Sequence, residues 1–273
     1  MIDLTPEVIG ALGGLGVARR VLGPSLDEVG AELRRLTERR LTNVGRVVQI
    51  ANKKSKGQHE DAAPNFRAAE LILREAMVAD SGIVADYLGG VLASARSDGS
   101  DDAVAWTSLI GRMSSSELLL HYVLYAGIRR SALGHTEINI MDAPGRESLR
   151  SLFSASGQPD NTGLIKRPGL FEALGVNGFA KFSFTTTGLD REGLFEGGFR
   201  FGPTVTLNRE DGKFASGLEM APSFNGMNLF MWGHGLGTTG IALYLHPQPD
   251  LEPLDGILMP TAYLKTPITT AAP

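Results

Sequence analysis

The chain has 273 residues, 42% of them apolar and 21% charged, and a net charge of −4 from 26 basic against 30 acidic side chains. Those proportions describe one large or two ordinary globular domains and exclude a disordered chain. There is no cysteine, which removes disulfide frameworks, thiolate metal sites and cysteine nucleophiles from consideration.

The start, Met1 to Glu7, is acidic where a secretory leader is basic, and the apolar run from Val8 stops at Arg19-Arg20, too short to span a membrane. A cytoplasmic protein is expected. Thr5-Pro6 suits a helix start. Gly10, Gly14 and Ala18 then recur every four residues, giving a helix face that another helix could approach closely. Gly23-Pro24 breaks the chain. From Ser25 the spacing of Leu26, Val29, Leu33, Leu36, Val44, Val47 and Ala51, with a skip near Arg40, predicts a long amphipathic helix ending near Gly57. Between Arg34 and Lys56 lie Arg34, Arg35, Arg39, Arg40, Arg46, Lys53, Lys54 and Lys56 against the single acid Glu38. Such a block serves as a solvated face, or as a contact for a partner helix, nucleic acid or a membrane surface.

A third helix is expected after Pro64, with Phe66, Ala69, Leu73 and Met77 as its apolar face. A fourth is capped by Ser81 and carries Ile83, Val84, Tyr87, Leu88, Val91 and Leu92. After the turn at Ser97–Asp102 come a helix over Ala103–Met113 and a capping box, Ser114 with Glu117, opening a helix to Leu133. Beyond Gly134 the spacing predicts helices over Pro144–Ala155 and Arg167–Leu174. Strands are expected at Phe179–Thr187, Phe199–Leu207, Met227–Trp232 and Ile241–His246. The expected fold is therefore α+β. It comprises a helical domain (1–113), a mixed, winged-helix-like α/β module with glycine-rich hairpins (114–250) and an irregular tail (251–273).

The motifs give no catalytic residue, cofactor site or metal site. Gly235-Leu236-Gly237-Thr238-Thr239-Gly240 has the dinucleotide spacing, but the residues after it read as a strand where a phosphate-binding helix is needed, so a glycine hairpin is expected. His59, His121, His135, His234 and His246 show no ligand spacing. His121 reads as a core histidine and His234 as a loop histidine with a local hydrogen bond. For nucleic acid, Arg129, Arg130, Lys166 and Arg167 are the candidate phosphate contacts, set against a pI near 5.8.

Val21-Leu22-Gly23-Pro24-Ser25-Leu26-Asp27-Glu28-Val29-Gly30, continued by Arg39-Arg40-Leu41-Thr42-Asn43-Val44 and later by Leu109-Ile110-Gly111-Arg112-Met113-Ser114, resembles the Abi-alpha family. That is a bacterial family of unknown function named for abortive infection. The resemblance spans residues 10 to 232; Gly226 to Gly235 is its most distinctive string, and the glycine-rich stretch from Gly193 to Gly217 and the tail depart from it. It implies a non-enzymatic phage-defence protein acting through a protein partner or self-association, with Gly10, Gly14, Arg34, Arg35, Arg39 and Arg40 as contact residues. The alternatives from the residues are a winged-helix nucleic-acid-binding regulator and a membrane-active effector using residues 8–51.

Overall fold

The structure, a computed structural model, describes residues 24–55, 65–98, 101–155, 179–201, 206–207, 214–215, 218–247 and 251. In chain order these form helices α1 (Pro24–Lys54), α2 (Phe66–Ala76), α3 (Gly82–Asp98), α4 (Asp102–Arg112), α5 (Ser115–Ala132), α6 (Ala143–Ala155) and α7 (Phe179–Arg191). Strands β1 (Phe195–Phe201), β2 (Thr206–Leu207), β3 (Phe214–Ala215) and β4 (Leu218–Pro222) follow, then helix α8 (Phe224–Gly233) and a 3₁₀ helix, Thr238–Leu243. The described chain is mostly helical.

Helix α3 organises the packing. Every residue from Ala85 to Ala95 is buried, so this helix lacks a polar face and sits among α1, α2, α4, α5 and α8. Two adjacent glycines let the neighbours in. A Cβ on Gly89 would lie 2.5 Å from the Ile50 side chain of α1, and one on Gly90 would lie 2.0 Å from the Gly233 carbonyl oxygen of α8. Only hydrogen at both positions permits that approach.

Local signals in the sequence define several of the ends. Asn65 caps α2 by accepting from the Arg67 N–H at 3.0 Å. Ser81 accepts from Val84 N–H at 3.3 Å. The capping box at Ser114 is present in both directions, with Glu117 accepting from the Ser114 N–H at 2.6 Å. The buried face of α2 differs from the expected one. Ala68, Ile72 and Ala76 face the core, whereas Phe66 is 82% exposed and Met77 is also exposed. The large side chains lie one step round the helix because small alanines are what the close contact with α3 and α4 accommodates.

The second half departs further from the expected strands. Phe179–Thr187 lies in helix α7, Met227–Trp232 in helix α8, and Ile241–Leu243 in the 3₁₀ helix. Among the described residues the β structure consists of two antiparallel pairs. β1 with β4 aligns Phe195 with Pro222 and Phe201 with Leu218 around an irregularity between Glu196 and Arg200; β2 with β3 aligns Thr206 with Ala215. The expected helix over Arg167–Leu174 lies outside the described residues.

One hydrophobic core runs through these elements, from Val47 of α1 to Leu245 beyond the 3₁₀ helix. Trp232, Tyr87, Tyr125 and Tyr244 are its largest fully buried side chains. Helix α8 packs on both α3 and α5.

Candidate functional site

Helix α1 divides into an anchored half and a projecting half. From Val44 onward its apolar stripe is covered, with Val47, Ile50 and Ala51 in the core. Every residue from 31 to 42 is exposed, including Leu33 (59%), Leu36 (42%) and Leu41 (65%). That is about 18 Å of helix. Leu33 and Leu36 continue the same helical stripe as Val44, Val47 and Ala51, so the face buried at one end stands bare at the other. Asn43 and Arg39 mark the point of departure. Asn43 Nδ2 donates to the Met77 carbonyl at 3.3 Å, and Arg39 pairs with Asp80 at 3.0 Å. Met77 and the exposed Val78 form an apolar shelf beside that corner.

Arg34, Arg35, Arg39 and Arg40 all lie on this exposed segment. Gly10 and Gly14 lie outside the described residues. The basic block read from the sequence splits here, because Lys54 turns inward. Its Nζ lies 3.3 Å from Asp86 and donates to the carbonyls of Asp86 (2.8 Å) and Gly233 (2.7 Å). Gly233 ends α8, where carbonyl dipoles attract a cation.

The titratable groups of the core hold the helices together. His121 Nε2 lies 3.0 Å from the Gly226 carbonyl oxygen, which can only accept, so the proton sits on Nε2 and Nδ1 accepts from the Tyr87 hydroxyl at 2.6 Å. Burial pushes His121 down to about 3, against a smaller opposing effect of the Gly226 bond. The Tyr125 hydroxyl donates to the Leu194 carbonyl and accepts from the Ser223 N–H at 3.0 Å, and the Tyr244 hydroxyl donates to the Tyr125 carbonyl at 2.7 Å. Burial raises all three tyrosines well above their ordinary value. These links tie α3, α5, α8 and the 3₁₀ segment into one unit.

The sequence predicts a local side-chain hydrogen bond for His234. Instead it ends α8 with its ring 4.6 Å from Phe230 and 6.1 Å from Tyr122, and its buried Nε2 meets no hydrogen-bond partner among the described residues. Burial lowers it to about 3, and the nearby charges of Lys54 and Arg129 push the same way.

The remaining candidates resolve by position. Gly235 and Gly237 take positive φ values of 84° and 60°, and the Gly237 N–H donates to Ser94 Oγ at 2.9 Å. The string follows a helix and leads into a 3₁₀ helix, so it is a tight helix-ending turn and not the expected hairpin. Arg129 is 8% exposed and its Nη2 donates to the His246 carbonyl at 2.8 Å, which takes it off the surface where a phosphate would meet it. Arg130 is exposed; Lys166 and Arg167 lie outside the described residues.

An open depression of about 760 Å³ lies over the start of α6, lined by His135, Glu137, Asn139, Asp142, Glu147 and neighbours. Its carboxylates already have partners. Glu137 lies 2.9 Å from His135 Nδ1, Asp142 accepts from Asn139 Nδ2 (2.9 Å) and Gly145 N–H (2.7 Å), and Glu147 accepts from Arg150 Nε (2.8 Å). Among the described residues no group of three or more acids and histidines is arranged to hold a metal ion, and no helix is long and apolar enough to cross a membrane.

No protein-family model, curated protein or solved structure matches the chain.

Proposed function

We propose that this chain is a non-enzymatic interaction protein whose contact surface is the projecting half of α1. One observation carries the reading: Leu33 and Leu36 stand exposed on a helix whose continuing face is buried in the core. Scattered single leucines on a surface need no explanation, but a bare stripe continuous with a packed one does. Arg34, Arg35 and Arg39 lie to either side of it and Arg40 continues it, and polar residues around an apolar centre are the composition of a protein interface. His121 and the buried tyrosines take structural roles in this reading, since their hydrogen bonds join helix to helix.

The resemblance to the Abi-alpha family supplies the setting, a cytoplasmic bacterial protein linked to phage defence that works by protein contact. The winged-helix regulator has less support. Arg129 is committed to His246, and two of its expected strands are helices.

The test is a photo-crosslinking side chain placed at Leu41, which flanks the stripe, in the full chain expressed in bacterial cells. The reading predicts a protein adduct that disappears in the Leu33→Asp/Leu36→Asp background. An adduct indifferent to both substitutions, or none while the same label at Phe184 on α7 reacts, contradicts it.

A further inference from the structure

We infer that the occupant of the α1 stripe is a second copy of this chain, paired with it antiparallel. This rests on the contact role of α1 and names the partner. Counted along the helix, Leu33, Leu36 and Arg40 form the seam, spaced three and four residues apart, and Glu32 and Arg39 both lie along one edge of it. When Leu33 of one copy sits opposite Leu36 of the other in antiparallel pairing, Glu32 of each copy falls beside Arg39 of the other. Two ion pairs then flank two leucine layers, related by the two-fold axis such a dimer must have.

The parallel arrangement lacks this match. It stacks Arg40 on Arg40 in the seam and leaves Glu32 facing the uncharged Thr37 edge. It also brings both bundles, packed from Asn43 onward, to the same end of the pair. Antiparallel pairing sends the bundles to opposite ends and directs the second copy's helix start toward the exposed shelf of Met77 and Val78.

The contacts that Glu32 and Arg39 make within one copy do not oppose this. Glu32 lies 3.6 Å from Arg35 and Arg39 lies 3.0 Å from Asp80, and all four side chains are more than half exposed. Exposed pairs of this kind are weakly held and readily exchanged. Two leucine layers make a small interface of the transient class, so association is expected in the micromolar range.

Sedimentation velocity on the purified full chain, from about 1 to 100 µM, tests the proposal across that range. The wild type should shift from monomer to dimer as concentration rises. Glu32→Arg and Arg39→Glu should each weaken the dimer about tenfold, by turning both attractive contacts repulsive. Because Arg39→Glu also disturbs Asp80, the deciding arm is the 1:1 mixture of the two variants. There the two substituted side chains face each other with opposite charges, and the native Arg39 of one copy faces the native Glu32 of the other. A mixed dimer of near wild-type affinity should form. A wild type that stays monomeric throughout overturns self-pairing while leaving the Leu41 crosslink as a separate test of the contact surface. A dimer indifferent to both charge reversals, or a mixture no tighter than its components, also overturns it.

Discussion

His121 and His234 show how single residues set the limits of this fold. Each titrates in the folded chain near 3, well below the ordinary 6.5, chiefly because burial disfavours the imidazolium. The unfolded chain therefore binds protons below pH 6.5 that the folded chain refuses. Stability is full above about pH 6.5 and declines as pH falls toward 3, by up to ~1.4 kcal/mol per unit per histidine. Urea midpoints at pH 7 and pH 5 measure this above the range where carboxylates titrate. His234→Phe, which keeps the ring contacts with Phe230 and Tyr122 but removes one titration, should cut the difference by about half. An equal difference in wild type and variant would contradict the assignment. His121 is less replaceable, since its removal orphans both the Tyr87 hydroxyl and the Gly226 carbonyl.

At the scale of elements, glycine position separates close packing from mere flexibility. Gly90→Ala puts a methyl 2.0 Å from a backbone carbonyl of α8 that cannot move without shifting the helix, and should cost about 3 kcal/mol. Gly45→Ala, on the exposed side of α1 with no atom within 4 Å, should instead stabilise by ~0.5–1 kcal/mol through helix propensity. Denaturant midpoints of the two variants should move in opposite directions; movement in the same direction would contradict the packing of α3 between α1 and α8.

The elements also show what the sequence disclosed. The capping box at Ser114, the cap at Ser81 and the apolar residues of α3 were legible because caps are local and α3 uses large side chains. Helix α8 was not. Met227 to Trp232 is buried on almost every side, so its run of apolar residues has no 3.6-residue period and reads as a strand. Helix α7 was hidden by Phe182 and Phe184 followed by the run Thr185-Thr186-Thr187, whose β preference the tertiary context overrides; Thr186 and Thr187 direct their hydroxyls to the Ser183 carbonyl within the helix. The arginines of the candidate site were legible. That Leu33 and Leu36 stand bare was not, because periodicity marks an apolar face without saying what covers it.

At the scale of the molecule, the anchored and projecting halves of α1 have different sources of stability. The anchored half is held by the core and by Lys54, whose ammonium joins α1 to Asp86 of α3 and to the end of α8. The projecting half has an exposed Arg39–Asp80 pair and a bond from Asn43 at its base, and Thr37 and Thr42 turn their hydroxyls onto the Leu33 and Glu38 carbonyls. A helical segment this short gains little from propensity alone, so cover on its apolar stripe is the main stabilisation open to it. Contact and folding are thereby coupled in this part of the chain. Hydrogen exchange across residues 31–42 of the full-length protein, followed as a function of protein concentration, reads that coupling directly. Exchange should be rapid in dilute protein and slow as concentration rises, with no slowing in Leu33→Asp/Leu36→Asp. Slow exchange at every concentration, unchanged by those substitutions, would show the stripe already covered within one chain and would contradict its role as a contact surface.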